Sequence, residues 1–284
     1  MMPVYKPWPA SGVGIGLRHE HIQAVLAQKP KLCWMELLID QHLSSGGAPL
    51  HQLEQIRHNY ALTLHGTSLS LGGCDPLDTV YLQRVKKLAR HLATSWLSEA
   101  VGFSSANGQF SHELLPLPYT EEALEHLCGR IRQAQDILGQ RLLLANPARY
   151  LQFNHSTLSE GEFLAAMAER SDCELLVDLN NLYINEHNLG EPAEQTLTAL
   201  PAGRVREIHL SGYHDQHGHL LGSHDSPVQP AVWQLFQRAL ELFGDTPTLV
   251  EWDQQLPPLE RLLEEAQRAR QLMKKVNDRQ RQAP

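Results

Sequence analysis

Leu175-Leu176-Val177-Asp178-Leu179-Asn180 is a short apolar run that ends on a carboxylate and an amide. By its length it reads as a buried strand, with the polar residues at its carboxyl end. Seven other short, largely apolar runs recur along the chain, most of them ending in polar residues. They are Val13-Gly14-Ile15-Gly16-Leu17, Met35-Glu36-Leu37-Leu38-Ile39-Asp40, Leu62-Thr63-Leu64-His65-Gly66 and Trp96-Leu97-Ser98-Glu99. Leu142-Leu143-Leu144-Ala145-Asn146, Glu207-Ile208-His209-Leu210-Ser211 and Leu249-Val250-Glu251-Trp252-Asp253 complete the set. Helical periodicity fills the gaps at His19 to Lys29, Asp78 to Leu92, Thr120 to Leu138, Ser159 to Arg170, Pro230 to Phe243 and Leu259 to Lys275. Strands alternating with helices imply βα units and a parallel sheet. Eight such units point to an α/β protein built as one (β/α)8 barrel, with an open doubly wound sheet as the alternative. In a barrel the strand carboxyl ends share one face, and the chemistry sits there.

The length of 284 residues suits a single barrel over residues 1–275, followed by a polar, frayed tail at 276–284. A net charge of −8 with no basic block argues against a nucleic-acid partner. The 16 histidines raise the prospect of a metal site, since imidazole is a common ligand. Cys33, Cys74, Cys128 and Cys173 form no paired motif, and Cys33 and Cys173 read as small buried thiols. No apolar stretch reaches the roughly 18 residues of a membrane span, and no secretory h-region opens the chain. These features predict a reduced, cytoplasmic protein without a membrane partner.

His65, Glu99, Asp178, His209 and Glu251 end separate strands, and His224 joins them from the long loop Gly212 to Val228. A mixed set of imidazoles and carboxylates suits Zn, Mn or Fe. Each alone also reads as a hydrogen-bonded structural group. Six on one face favour a metal, because unpaired buried charges are costly. Asn180 and Asn181 are candidates to orient ligands, and His214, Asp225, Asp253 and His21 are further candidates for ligand support or substrate contact. His217 and His219 read as a solvated hairpin turn around Gly218.

Several motifs together resemble the multinuclear non-heme iron-dependent oxidative enzymes, over nearly the whole chain. They include Gly14-Ile15-Gly16-Leu17-Arg18 with His21, Leu64-His65-Gly66, Leu69-Ser70-Leu71-Gly72 and Leu115-Pro116-Leu117-Pro118-Tyr119-Thr120. Asp178-Leu179-Asn180-Asn181-Leu182-Tyr183, Glu207-Ile208-His209-Leu210-Ser211-Gly212 and Glu251-Trp252-Asp253 continue the match. Glu36-Leu37-Leu38-Ile39-Asp40 looks like the methanobactin-forming branch. The resemblance implies a xylose-isomerase-like barrel, one to three iron ions and dioxygen as oxidant. It implies a ribosomally made precursor peptide, oxidised at cysteine, and a partner protein that binds its leader. By motif, His65, Glu99, Asp178, His209, His224 and Glu251 fall at ligand or near-ligand positions.

This chain departs from the family pattern at Ala100, Ala145, Tyr213 and Gly222, where the family usually carries His, Glu, His and Asp. The losses imply a reduced or rearranged metal set. Three readings follow: a peptide-modifying oxidase with fewer metals, a non-catalytic scaffold for a peptide or an active paralogue, and a mononuclear isomerase or hydrolase suggested by the barrel alone.

Overall fold

The computed structural model describes residues 9–43 and 46–282. Twelve strands occur in chain order among them: β1 (Val13–Gly16), β2 (Trp34–Leu38), β3 (Ala61–Gly66), β4 (Leu97–Ala100), β5 (Phe103–Ala106), β6 (Gln109–Leu115), β7 (Leu142–Ala145), β8 (Glu174–Asp178), β9 (Val205–Leu210), β10 (His214–Gln216), β11 (His219–Leu221) and β12 (Thr248–Val250). Eight of them close a barrel in the order β1-β12-β9-β8-β7-β4-β3-β2, every pairing parallel. These are the eight apolar runs of the sequence, and the closed sheet excludes the open alternative.

The helices are α1 (Ile22–Gln28), α2 (Ala48–Arg57), α3 (Thr79–Leu92), α4 (Glu121–Leu138), α5 (Glu160–Ser171), α6 (Leu179–Leu189), α7 (Ala193–Ala199), α8 (Pro230–Phe243) and α9 (Leu259–Gln282). Local chemistry sets their starts. Thr120 accepts from the Ala123 amide, and Ser159 forms a reciprocal capping box with Glu162. The expected frayed tail instead continues α9 to Gln282, because Val276 is an apolar residue in register to bury against the barrel, at 3% exposure. Residues 1–8 and 283–284 lie outside the described residues.

Strand alternation sorts each run into two faces. Leu62, Leu64, Leu97, Leu142, Leu144, Leu175, Val177, Ile208 and Leu210 face the helices and are buried. Truncating one such leucine to alanine costs about 2–5 kcal/mol. The opposite face points into the barrel. Its floor is Trp34 against Trp96, edge to face at 5.8 Å, packed with Ala61 and Leu249. Gly14 and Gly16 lie on this inner face. A Cβ at Gly14 would sit 2.6 Å from the Trp34 indole, and one at Gly16 would sit 2.9 Å from the Arg18 guanidinium. The glycines at 14 and 16 are therefore clearances for the side chains packed against them.

Two antiparallel hairpins rise from the carboxyl ends of the barrel strands: β5–β6 after β4, and β10–β11 after β9. The second occupies the long loop Gly212 to Val228, and the first fills the connection between β4 and α4. Gly218 at φ +87° and His217 at φ +57° make the second turn, as expected for a solvated hairpin. Cys173 is buried, but Cys33 is exposed, since it precedes the first inward residue of β2 at the barrel's lower rim.

Candidate metal centre in the barrel mouth

Above the tryptophan floor, inward positions turn acidic. Glu36 of β2 and Glu207 of β9 are fully buried. Trp96 Nε1 donates to Glu207 Oε2 at 2.6 Å, and Thr63 Oγ1 donates to Glu36 Oε2 at 3.3 Å. His209, two residues above Glu207 on the same face, meets both. Its Nε2 lies 3.2 Å from Glu207 Oε1 and 3.5 Å from Glu36 Oε1, while its Nδ1 lies 3.3 Å from Glu251 Oε2. Burial would lower the His209 pKa, but the surrounding carboxylates raise it well above the usual range. Glu36 shifts upward, through burial first, with His209 opposing and Glu207 adding to the shift.

One layer higher, Glu251 joins a second group. His224 Nδ1 lies 3.3 Å from Glu251 Oε2 and 3.0 Å from Asp253 Oδ2. Asp178 ends β8 and caps α6, its Oδ1 accepting from the Asn181 amide at 2.8 Å. Arg18, 2% exposed, donates from Nη2 to Glu251 Oε1 at 3.0 Å and from Nε to Asp253 Oδ1 at 3.0 Å. Burial raises the Asp178 carboxyl, partly offset by His224 and His209. Burial would raise Glu251 as well, yet His224 and His209 hold it well below the ordinary carboxylate range.

Two donor sets able to hold a metal ion result among the described residues: Glu36, His209 and Glu251, and Asp178, His224 and Glu251. In each, ligand atoms lie within 4.8 Å of one another. Glu251 belongs to both, and a carboxylate with two oxygens is suited to bridge adjacent ions. Buried Glu36 Oε1 accepts no hydrogen bond from the described residues, an orphan that a cation would satisfy. The residues present therefore fit a metal, and their mixed oxygen and nitrogen donors suit Fe, Mn or Zn.

The remaining sequence candidates divide. His65 is in the mouth, its Nδ1 2.8 Å from Ser98 Oγ and its ring 5.5 Å from that of His209, but it belongs to neither donor set. Asn181 and Asn146 serve Asp178 through its backbone and cap. Asn180 is buried and donates to the Gly212 carbonyl at 3.4 Å. His21 turns away, its Nε2 2.8 Å from the Pro257 carbonyl. His214 is exposed and 3.8 Å from Asp225 Oδ2 at the rim.

Glu99 needs correction. It pairs in register with Gly66, and its carboxylate fills the space that a Cβ at Gly66 would take, which the Ile39 side chain also borders. That is the helix-facing side of the wall. Ser98 and Ala100 take the inward positions, as strand alternation requires. Burial and the nearby Asp40 charge push the Glu99 carboxyl well above its usual range.

Arg18, Glu36 and Glu207 were not selected from the sequence as site residues. Alternation carries the signal: once His209 is set inward, Glu207 follows by two positions. Glu36 is likewise an acid in the middle of a run too apolar to tolerate it without a purpose. The family departures also find places. Ala100 and Ala145 pair in register and are 7% and 6% exposed, both on the inner face. Tyr213 stacks on Tyr183 at 5.5 Å, and Gly222 lies beside Asn181. One side of the mouth, β4 and β7, thus has no metal donor on its inner face.

A closed parallel barrel with a carboxylate and imidazole cluster at its strand ends defines the class: a (β/α)8 barrel with a candidate metal site in its mouth. Within it, the chain belongs to the RiPP precursor modification enzyme family MbnB/TglH/ChrH, whose model matches residues 12–274. RiPPs are ribosomally synthesised and post-translationally modified peptides. A UPF0276 protein of Acaryochloris marina is 47% identical over 258 residues, covering 91% of this chain and 93% of the relative. One from Anaeromyxobacter sp. is 42% identical and covers 91% of each. Among solved structures, D-psicose 3-epimerase from Clostridium cellulolyticum superposes with a TM-score of 0.62 at 14% identity, covering 94% of this chain and 99% of that one. Endonuclease IV from Thermus thermophilus also reaches 0.62 at 14% identity, covering 93% and 99%. At that identity the likeness is one of fold. No helix among the described residues is long and apolar enough to cross a membrane.

Proposed function

We propose that this chain oxidises cysteine in a ribosomally synthesised precursor peptide, using two iron ions and dioxygen. The observation that carries the reading is the sharing of Glu251 between two donor sets, buried except for the partly exposed His224. Glu36 and His209 would hold one ion, Asp178 and His224 the other, and Glu251 both. Iron bound there supplies redox chemistry toward dioxygen and a site to which a thiolate can coordinate.

The chain's own residues do the rest. Trp34 and Trp96 close the barrel beneath the cluster, so substrate enters from the strand ends. Trp96 and Glu207 fix the His209 ring by a chain of hydrogen bonds. Arg18 places a permanent positive charge against Glu251 and Asp253, limiting repulsion among the carboxylates. Ala100 and Ala145 leave no carboxylate or imidazole for a third ion on their side, which supports a count of two. Membership in a peptide-modifying family supports a precursor peptide as substrate, and a leader-binding partner protein belongs to the same proposal.

The alternative, a scaffold without chemistry, rests on those same two alanines. Anaerobic purification with iron supplementation separates the two. The oxidase reading expects about two irons per chain and a dioxygen-dependent mass loss in a Cys-bearing precursor peptide. Folded protein that takes up no iron under those conditions would refute it and leave the scaffold.

A further inference from the structure

The donor His224 differs from the rest of the cluster in its origin. Glu36, His209 and Glu251 lie on barrel strands or the residue directly after one, and Asp178 is the last residue of β8. His224 comes from the loop after the β10–β11 hairpin, and its backbone sits at φ +49°, a left-handed conformation that costs a non-glycine residue energy. Something outside the loop must hold it there.

Asp253 grips it at two points. The Asp253 amide donates to the His224 carbonyl at 2.8 Å, and Asp253 Oδ2 meets His224 Nδ1 at 3.0 Å. The Gln254 amide adds a longer bond to the same carbonyl at 3.4 Å. Asp253 is in turn fixed by Arg18, whose guanidinium spans Asp253 and Glu251. Arg18 is seated by the missing side chain at Gly16, where a Cβ would stand 2.9 Å from Nη1. From the first strand to the last, Gly16, Arg18, Asp253 and His224 form one connected set.

We propose that Arg18 and Asp253 are positioning residues, a clasp that presents the loop donor His224 to Asp178 and Glu251. The clasp makes occupancy of that second metal position depend on the loop's docking, while the Glu36 and His209 position does not depend on it. The assignment to a metal rests on the proposed function. The docking of the loop does not.

The test uses the full chain with Asp253→Ala and, should that variant fail to fold, Arg18→Lys. The lysine ammonium keeps the charge but lacks the planar fork that spans two carboxylates. Two readouts are needed. Hydrogen exchange on metal-free protein should accelerate at least tenfold at the amides of residues 253 and 254, which donate to His224, and within 222–226. Anaerobic titration with Fe(II) alone should fall from two ions per chain to one. Unchanged exchange in the folded variants would overturn the clasp. Accelerated exchange with two irons retained would overturn its role in presenting His224. Wild-type protein that binds no iron, with exchange still accelerated in the variant, would sink the proposed function and leave the clasp standing.

Discussion

Glu251→Gln is the sharpest test of a shared ligand, because the substitution is nearly isosteric and removes only the charge. In the metal-free protein Glu251 contacts Arg18 at 3.0 Å and the His209 and His224 rings at 3.3 Å each, with 4% exposure. Breaking a buried ion pair costs about 3–5 kcal/mol when the partner is stranded. Arg18 is not stranded here, since Asp253 still pairs with it, and the two imidazoles retain Glu36, Glu207 and Asp253 as neighbours. The net cost should be about 2 kcal/mol, or a fall in Tm of about 4 °C for a chain of this size. The loss of metal should be far larger. If Glu251 serves both positions, bound Fe(II) falls from two per chain to none or nearly none, whereas Glu36→Gln and Asp178→Asn each remove one. Metal analysis after anaerobic desalting, alongside thermal melts of the metal-free variants, reads both quantities. Should Glu251→Gln keep one tightly bound iron, or Glu36→Gln lose both, the bridging arrangement would be wrong.

Three further outcomes follow from the same geometry. The triple variant Ala100→His, Ala145→Glu and Gly222→Asp should bind about one more iron per chain, since the two alanines face inward and a Cβ at Gly222 meets nothing closer than Ala148 at 3.3 Å; unchanged iron in folded protein would count against the placement of these positions. Trp96→Phe removes a 2.6 Å hydrogen bond to buried Glu207 and should destabilise by about 1.5–3 kcal/mol in urea melts, the range for a bond to a charged group, and weaken Fe(II) binding by about 10–100-fold, because the His209 ring loses its support. His42 has its pKa lowered to about 4 by burial first, then by His19 and Arg18. Its neutral form is the folded one, so its contribution is complete above the unfolded value near 6.5 and is lost as pH falls toward 4, by up to about 3 kcal/mol; His42→Gln should show a smaller drop in urea stability between pH 7 and pH 4.5, and an equal drop would refute the assignment.

The barrel could be read from the chain because its evidence is local and repeated. Each apolar run became a barrel strand, and helix starts such as Ser159 with Glu162 carry their own caps. Three helices have no clear periodic signal: α2, α6 and α7. α6 begins directly at Asp178, so the residue that ends the strand also caps the helix and no loop separates the two patterns. For the site, position along the chain is a sound guide and facing is not. Glu99 ends its apolar run like the candidate donors, but stands one residue out of phase with Ser98 and Ala100. A one-residue offset reverses the face. Glu36 and Glu207 lie deeper than the strand ends where donors are expected. His224 owes its place to a left-handed residue and a partner 29 positions away, neither of which has a sequence signature.

The distribution of charge across the mouth weighs on the choice between oxidase and scaffold. Glu36, Glu207, Asp178 and Glu251 are all 4% exposed or less, and Asp253 stands at their rim. Removing a carboxylate from water costs several kcal/mol even after relaxation. Among the described residues Arg18 is the permanent cation contacting them, so the balance in metal-free protein falls to protons on His209 and His224 and on the carboxyls whose pKa values burial raises. A peptide scaffold has no physical need for such a set, and an apolar interior like that of β4 and β7 would fold at lower cost. Two divalent ions would neutralise the excess charge and satisfy Glu36 Oε1 at once. The alanines at 100 and 145 remove donors on one side of the barrel, whereas both sets that share Glu251 lie on the other. Their loss would therefore lower the number of ions the mouth can hold without dismantling the two donor sets that share Glu251.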